Sequence, residues 1–251
     1  MLELKNKVAL VTGGGRDIGG EVSKKLASLG IKVCYNYFES DEKGDLTLKE
    51  IKGNGGEALM VRGDLTKQKD IDNLVQTCVK TFGSKIDFLV NVTGGLVGRK
   101  TIAEMDEQFW DFLITLNLKT VFLVTKAVLP YMSSGGAIVN FASQAARDGG
   151  GPGAIAYATA KGGVLTFTRG LAKELGPKGI RVNAVSPGMI STTFHDLFTK
   201  PEVREKVAAS TPLRREGQAK EVADLVVYLC SNQSSFITGV SVEINGGTYF
   251  I

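Results

Sequence analysis

Tyr157 and Lys161 are the residues whose types and spacing point most directly to chemistry. They stand four residues apart in YATAK, within a stretch of helical periodicity, so both side chains lie on one face of a helix. A free tyrosine titrates near ~10, and a neighbouring positive charge favours its phenolate and lowers the pKa. The pair therefore predicts an acid/base tyrosine. Surface Tyr–Lys pairs are common at this spacing, but Ser143, which ends a predicted strand upstream, favours the catalytic interpretation.

A glycine-rich segment, TGGGRDIGG from Thr12 to Gly20, follows the short apolar run KVALV. At a strand-to-helix turn, backbone N–H groups and the positive end of the helix dipole can hold a pyrophosphate. Glycines alone are weak evidence, because tight turns need them anyway. The position after the first predicted strand nevertheless favours a nucleotide site.

Asp17 is the unusual residue of this loop, because a carboxylate should repel a bound phosphate. One interpretation is that it spoils phosphate binding. The other is that it begins the helix and turns its carboxylate back onto the N–H groups of the first turn. Aspartate is a favoured N-cap, tolerates left-handed backbone and suits the helix dipole. The sequence favours the cap, with Arg16 offsetting the charge.

Composition argues against several classes of function. The chain has 251 residues, 43% hydrophobic and 22% charged, with a net charge of +4, so nucleic acid is not an expected partner. His195 is the only histidine, and no metal site is expected. Cys34, Cys78 and Cys230 lack CxxC spacing and are expected to be reduced core residues. The charged N-terminus lacks a signal peptide's apolar stretch, and no apolar run was found to approach the ~20 residues of a membrane span. A cytoplasmic protein without a membrane partner is predicted.

Seven short apolar runs alternate with segments of helical period. The predicted strands are KVALVT, KVCYNY, EALMVRGD, IDFLVNVTGG, GAIVNFAS, IRVNAVSPG and GVSVEINGG. The helices between them include one ended by Gly30 as a C-cap and a long one over about 106–129. This alternation predicts a single-domain α/β Rossmann fold over 1–251, with a doubly wound, seven-stranded parallel sheet and helices on both faces. The irregular region Ser186–Gln218 predicts a substrate lid at about 188–218.

The segment TGGGRDIG resembles the TGxxxGxG cofactor loop of the short-chain dehydrogenase/reductase family, with Thr12, Gly13 and Gly19 matching and Asp17 departing. Further matches follow in family order: NVTG at 91–94, LNL around Asn117, Ser143, YATAK at 157–161, and SPGMIST. The resemblance covers nearly the whole chain. It implies an NAD(P)-dependent oxidoreductase that reduces a small ketone or aldehyde, or oxidises the alcohol.

The same resemblance implies a role for each catalytic residue. Tyr157 would be the acid/base, and Ser143 would hydrogen-bond the substrate carbonyl and stabilise its developing charge. Lys161 would also bind the nicotinamide ribose, and Asn117 would hold a water that links Lys161 to solvent. The implied cofactor-binding set is Gly13, Gly15, Arg16, Asp17, Ile18, Gly19, Asp64, Leu65, Asn91, Gly94, Tyr157, Lys161, Pro187, Gly188, Ile190 and Thr192.

The sequence favours NADP(H) and leaves NAD(H) open. An acidic residue ending the second strand would select NAD, but Asn36 and Tyr37 are neutral there and Glu39 comes slightly late. Arg16 lies where many NADP-preferring relatives keep an arginine for the 2′-phosphate. Phe38 stands where some of those relatives have a second arginine.

Several substrates remain open. The 3-oxoacyl-carrier-protein reductases look most similar, yet PYMSSGGAIVN carries no charge where carrier-docking relatives are basic, which leaves Lys178 as a contact. Arg99, Lys100, Arg214 and Arg215 would attract a small anionic substrate such as a keto-acid or sugar acid; solvated surface charge is the other interpretation.

Two other functions are kept as alternatives. One is an NADP-binding regulator without chemistry, since fold alone does not give function. The other is epimerisation or dehydration, whose enzymes usually have a longer C-terminal substrate domain. The resemblance also implies a homotetramer, assembled through the YATAK and Asn117 helices and through the C-terminal SVEINGGTYFI.

Overall fold

A seven-stranded parallel sheet forms the centre of the computed structural model, which describes residues 4–39 and 41–250. Its strands are β1 (Val8–Thr12), β2 (Lys32–Tyr37), β3 (Ala58–Arg62), β4 (Phe88–Asn91), β5 (Ala137–Phe141), β6 (Arg181–Pro187) and β9 (Ser241–Ile244); β7 (Ile190–Ser191) and β8 (Gly217–Gln218) form a separate ribbon. The order is β3-β2-β1-β4-β5-β6-β9. All seven predicted strands are confirmed, and positions 1–3, 40 and 251 of the predicted domain lie outside the described residues.

Helices cover both faces of the sheet, as predicted. They are α1 (Asp17–Ser28), α2 (Asp41–Gly53), α3 (Gln68–Phe82), α4 (Glu107–Ile114), α5 (Thr120–Val128), α6 (Ala145–Asp148), α7 (Ile155–Leu175), α8 (Thr193–Phe198), α9 (Pro201–Ser210) and α10 (Ala219–Cys230). The alternation of side chains along β1 divides the core. Ala9 and Val11 pack with α1 and α10, whereas Val8 and Leu10 pack with α3 and α5.

The end of α1 follows the sequence prediction closely. Gly30 adopts a left-handed backbone with φ of 79°. Its N–H donates to the Ala27 carbonyl at 3.0 Å, and the Ile31 N–H donates to the Leu26 carbonyl at 3.3 Å. These two bonds form a Schellman motif, which returns the chain to β2.

The predicted long helix contains an irregular turn. Between α4 and α5 the residues Thr115–Lys119 form a π-helical turn, and a short 3-10 turn follows at Leu129–Tyr131. Asn117 lies inside the π turn and is fully buried. π turns within α-helices often mark functional positions.

One helical stretch among the described residues, Glu107–Tyr131, is long and apolar enough to cross a membrane by length and composition, with a mean hydropathy of 1.7. The expectation that no run approaches a membrane span is therefore wrong at this stretch. Core helices of globular proteins meet the same criterion. Here the stretch packs against α3, α7 and β4.

The region predicted as an irregular lid contains α8 and α9. None of the residues described in these two helices is buried. Arg204 on α9 fixes them to each other and to the β8 side: it donates to Glu216 at 2.6 and 2.7 Å and also pairs with Asp196 of α8. The lid is thus held by ion pairs rather than by a core of its own.

Candidate active site

The strand order reverses between β1 and β4, at the edge where the carboxyl ends of the parallel strands meet. In doubly wound sheets this reversal opens a crevice that holds a ligand. The Thr12 hydroxyl joins its two sides, because it accepts from the backbone N–H groups of Val92 and Thr93, both at 3.0 Å. The glycine loop after β1 and the NVTG segment after β4 therefore line one crevice.

Asn36, at the end of β2, holds the glycine loop in place. Its carbonyl accepts from Gly14 N–H at 2.8 Å, and its side-chain oxygen accepts from Gly13 N–H at 3.4 Å. Its amide donates to the Gly63 carbonyl at 2.9 Å. The sequence analysis treated Asn36 only as a neutral residue for cofactor choice and missed this role. A polar residue within an apolar strand was the available signal.

The glycine loop fits a dinucleotide phosphate. A Cβ on Gly19 would stand 2.0 Å from the Gly13 carbonyl oxygen, and a Cβ on Gly15 would stand 3.1 Å from Tyr37. Beside Gly13, the Thr93 hydroxyl is buried without a hydrogen-bond partner among the described residues. A loop that admits no side chain, next to an unsatisfied hydroxyl, suits close approach by a polar ligand at the start of α1.

Asp17 departs from its predicted partner. It begins α1 with a left-handed φ of 50°, and Arg16 lies 3.8 Å from its carboxylate, as the sequence analysis expected. Its carboxylate, however, does not bond to the first turn of α1. Oδ1 instead accepts from the backbone N–H of Thr193 at 3.0 Å, and Oδ2 accepts from the Thr193 hydroxyl. The expected cap on its own helix is therefore wrong, because Thr193 offers two donors.

Lys161 is buried beneath the crevice, with 3% of its surface exposed. Its Nζ donates to the Phe141 carbonyl at the end of β5 at 2.7 Å and lies 5.8 Å from the Tyr157 ring centroid. Burial lowers the pKa of Lys161 to about 8. At pH 7 the side chain is therefore still mostly a cation that faces the tyrosine.

The pKa of Tyr157 is shifted in the direction opposite to that expected from the Tyr–Lys pair alone. Burial raises it, and the hydrogen bond with Ser143 opposes that rise only in part. The phenol is therefore protonated at neutral pH. A protonated phenol is the form that a general acid needs.

Asn117 ties the π turn to the loop after β4. Its amide donates to the carbonyls of Gly95 and Leu113 at 2.9 and 3.0 Å, and its Oδ1 accepts from Gly95 N–H at 2.9 Å. A Cβ on Gly94 would stand 2.5 Å from Asn117 Oδ1 and 3.0 Å from Lys161 Nζ. Gly94, Asn117 and Lys161 therefore converge on one point.

Asp64, Leu65 and Asn91, which the family resemblance implies to lie on the adenosine side of a cofactor, differ in which groups they expose. The Asp64 carboxylate accepts from the Thr66 N–H and hydroxyl at 3.0 and 2.7 Å; burial would raise its pKa, but these bonds and Lys67 hold it below its usual value. Leu65 is buried. The Asn91 amide donates inward to Asn140 at 2.9 Å. A ligand contact from Leu65 or Asn91 would therefore use the backbone. Ile18 packs on the core beneath α1.

The loop that begins at Pro187 and Gly188, called the PG loop below, lies beside Ser143. Pro187 ends β6, and its carbonyl accepts from the N–H of Gln144, the residue after Ser143, at 3.0 Å. A Cβ on Gly188 would stand 2.8 Å from the Asn245 backbone, so only glycine fits. Ile190 is buried, and the Thr192 hydroxyl donates to the Ile190 carbonyl at 3.1 Å. This segment, which the family resemblance implies to bind the cofactor, therefore lies next to the predicted catalytic serine.

An aromatic cluster on α8 stands over Tyr157, and the sequence analysis missed it. The Phe194 ring centroid lies 6.3 Å from that of Tyr157, 5.1 Å from that of His195 and 5.3 Å from that of Phe198. Burial and the nearby charge of Arg204 lower the pKa of His195, so its ring is neutral at pH 7. The signal was the aromatic spacing in TFHDLF, within the region taken as irregular.

The four cations suggested as an anion-binding group are already occupied. Lys100 pairs with Asp106 at 2.6 Å, and Arg215 pairs with Glu221 at 2.7 Å. The remaining two donate to backbone carbonyls: Arg99 to Pro152 at 2.9 Å and Arg214 to Ala209. The charges of Lys100 and Arg215 are therefore paired with carboxylates, whereas Arg99 and Arg214 bond to neutral carbonyls, which do not neutralise their charge.

Comparisons with known proteins identify the family of this chain. A family model described as enoyl-(acyl carrier protein) reductase matches residues 13–249. The chain is 35% identical over 246 residues to a 3-oxoacyl-(acyl-carrier-protein) reductase of Staphylococcus epidermidis, covering 97% of this chain and 99% of the relative. It is 39% identical over 250 residues to one of Synechocystis, covering 98% of each.

Solved structures show the same likeness. A short-chain dehydrogenase/reductase of Serratia marcescens superposes with a TM-score of 0.92 at 31% identity, over 97% of this chain and 98% of that one. A short-chain dehydrogenase of Burkholderia cenocepacia in complex with NADP gives 0.90 at 29% identity, over the same shares. The chain belongs to the short-chain dehydrogenase/reductase family. It is an NAD(P)-dependent oxidoreductase acting on CH–OH or C=O groups.

The space around Gly94 gives a direct test of this geometry. Gly94→Ala would force Asn117 and Lys161 apart, so kcat/KM for carbonyl reduction should fall by about 100-fold, as expected for a displacement near 1 Å. Gly95→Ala is the matched control, because its Cβ would meet nothing within 4 Å. Equal activity of the two variants, with unchanged circular dichroism and melting temperature, would contradict the convergence.

Proposed function

We propose that this chain uses NADPH to reduce a ketone or aldehyde to an alcohol, with Tyr157, Lys161, Ser143 and Asn117 as the catalytic set. The observation that carries the proposal is the convergence of Asn117 Oδ1 and Lys161 Nζ at Gly94, where no side chain fits, directly beneath Tyr157. An unrelated structural role would not require a buried lysine at this edge of the sheet. The reverse oxidation would use the same groups.

The reaction adds a hydride to the carbonyl carbon and a proton to its oxygen. The bound cofactor supplies the hydride. Tyr157, protonated at neutral pH, donates its phenolic proton to the carbonyl oxygen. Ser143, which hydrogen-bonds Tyr157, donates to the same oxygen as negative charge develops on it. The Lys161 cation stabilises the phenolate that Tyr157 becomes.

The proton must then be replaced from solvent. Lys161 is well placed for this, because its pKa of about 8 allows it to release and regain a proton near neutral pH. The π turn at Asn117 lies beside it, on the other side of Gly94. We assign Asn117 to holding the water through which Lys161 exchanges its proton.

NADP(H) is the favoured cofactor, and NAD(H) is the alternative. Arg16 is 42% exposed and lies at the glycine loop, where the adenosine ribose would sit. Two solved neighbours, one named a blue fluorescent protein in complex with NADPH and one a dehydrogenase in complex with NADP, support this choice. Glu39 favours NAD(H), because its carboxylate lies 3.5 Å from Arg16 and would oppose a 2′-phosphate.

For the substrate, we propose a neutral carbonyl compound with an apolar portion beneath Phe194. The aromatic cluster on α8 supports this, and the pairing of Lys100 and Arg215 with carboxylates weighs against a keto-acid or sugar acid. A 3-oxoacyl group on a carrier protein is the second candidate, supported by the names of the relatives. Its weakness is that the turn around Ser134, which lies beside Lys178, carries no charge within PYMSSGGAIVN.

We further propose a single-domain, cytoplasmic homotetramer that binds neither nucleic acid nor membrane. Phe112, Phe122 and Ile155, on the outer faces of α4, α5 and α7, are each 45–46% exposed. Exposed apolar residues on neighbouring helices favour burial against another copy.

Tyr157→Phe tests the chemistry. It removes the proton donor but keeps the ring, so turnover of neutral ketones, 3-oxoacyl thioesters and keto-acids should fall at least about 1,000-fold, with little change in NADPH affinity. NADPH oxidation at 340 nm and fluorescence titration measure the two effects. Retained turnover would place the acid elsewhere. Tight cofactor binding with no turnover by either protein would favour the regulator.

Arg16→Ala tests the cofactor choice. Loss of a charged hydrogen bond to the 2′-phosphate should weaken NADPH binding about 10- to 100-fold and leave NADH binding nearly unchanged. Glu39→Gln is the paired variant, and it should tighten NADPH. If Arg16→Ala weakens both cofactors equally, the arginine does not read the 2′-phosphate.

Light scattering tests the assembly. The particle mass at micromolar concentration should be four times the 26.8 kDa of one chain. Phe122→Asp, which places a charge on the exposed apolar face, should shift that mass downward. A monomer for the unaltered protein would remove the tetramer proposal.

A further inference from the structure

The bond between Asp17 and Thr193 joins two parts of the site that lie 176 residues apart in sequence. Asp17 belongs to the glycine loop, and Thr193 is the first residue of α8. One carboxylate oxygen accepts from the Thr193 N–H at 3.0 Å, and the other accepts from its hydroxyl. Arg16 adds a further bond from Nη1 to the same hydroxyl at 3.0 Å.

The start of α8 depends on this contact. Thr192 occupies the N-cap position but makes no side-chain cap bond among the described residues, because its hydroxyl donates to the Ile190 carbonyl. Asp17 therefore supplies from another element the acceptor that an N-cap normally supplies from its own chain. Its negative charge also suits the positive end of the helix dipole.

Little else holds α8 in position. None of its described residues is buried, and the ion pair of Asp196 with Arg204 connects α8 to α9 and, through Arg204, to Glu216 and Ser191. Yet α8 carries Phe194 to within 6.3 Å of the Tyr157 ring. From the glycine loop, Asp17 contacts α8 through two bonds to Thr193, and Arg16 contacts it through one.

The backbone of Asp17 strengthens the argument. Its φ of 50° lies in the left-handed region that glycine adopts freely. Glycine would therefore fit this position with less strain, whereas aspartate adds a carboxylate whose described hydrogen bonds go to the lid. A strained residue with a specific long-range partner indicates a functional contact.

We propose that Asp17 is a positioning residue that holds the substrate lid closed over Tyr157 through Thr193, so that the glycine loop sets the position of Phe194 over the carbonyl. This inference rests on the proposed reductase function. It assigns Asp17 to the carbonyl side of the reaction as well as to the cofactor side. Removal of the carboxylate should loosen α8 and weaken carbonyl binding much more than cofactor binding.

The test compares Asp17→Gly, Asp17→Asn and Thr193→Val with the unaltered protein. Asp17→Gly should raise KM for the carbonyl about tenfold, while kcat changes less and the NADPH dissociation constant changes less than about threefold. Asp17→Asn retains one acceptor oxygen, so its KM for the carbonyl should lie between those of Asp17→Gly and the unaltered protein. The effect of the double variant Asp17→Gly/Thr193→Val on KM should fall well short of the sum of the two single effects, because the bond between the Thr193 hydroxyl and Asp17 is lost in both single variants. Thr193→Val keeps the Thr193 N–H and loses in addition only the bond from Arg16.

Asp224→Asn is the matched control for loss of an acidic charge. Asp224 lies on α10 and pairs with Lys25 of α1 at 2.7 Å, away from the lid. Asp224→Asn should leave both the KM for the carbonyl and the NADPH dissociation constant unchanged. Additive effects of Asp17 and Thr193, or a large gain in NADPH affinity with no change in carbonyl KM, would overturn the proposal, since the carboxylate would then act only on the cofactor phosphate.

Hydrogen–deuterium exchange gives a readout that needs no turnover. In Asp17→Gly, the amides of Thr193–Phe198 should exchange about tenfold faster, whereas those of α3 should be unchanged. If the protein reduces no carbonyl compound but amide exchange in Asp17→Gly becomes faster in this segment alone, the reductase proposal is wrong and the contact between Asp17 and α8 is supported. Unchanged exchange in α8 would overturn the contact whatever the enzyme does.

Discussion

The parallel pairing of β1 with β4 is the constraint on which the rest of this structure depends. Thr12 of β1 is in register with Asn91 of β4, and the chain continues outward from each strand to opposite edges of the sheet. All seven strands run the same way, so their carboxyl ends meet along one edge. The glycine loop, the NVTG segment, Ser143 and the PG loop lie together for that reason, although the sequence separates them widely.

A chain of buried hydrogen bonds fixes the catalytic helix to this sheet. Asn91 donates to Asn140 on β5 at 2.9 Å, Asn140 donates to Thr168 on α7 at 3.0 Å, and Thr168 donates to the Val164 carbonyl at 2.8 Å. Burial of a polar group in an apolar interior costs free energy unless the group is hydrogen-bonded. This series of bonds therefore strongly favours one position of α7 relative to the sheet. Since α7 also carries Tyr157, the strands and the acid are positioned together.

The sequence was sufficient for the fold, and the site residues that it named remain predictions, several of which the structure brings together at one edge of the sheet. Apolar runs bounded by turn residues identified every strand of the main sheet, and the family motifs identified the residues that converge at Gly94. It did not reveal the π turn, because one extra residue within a helix hardly disturbs a 3.6-residue pattern. It also gave Asp17 the wrong partner, because capping rules consider local donors whereas Thr193 is distant. Phe194 was missed because its importance depends on the tertiary placement of α8.

The site therefore has a rigid floor and a weakly held roof. The floor consists of strand ends, the buried Lys161 and Gly94, which has no free space around it. The roof consists of α8 and α9, whose described residues include none that is buried. Substitutions on such exposed helices usually change stability by no more than about 0.5 kcal/mol, whereas substitutions in the floor disturb the core. New substrate preferences can thus be acquired by altering the roof, while the fold and the residues proposed to transfer the proton stay as they are.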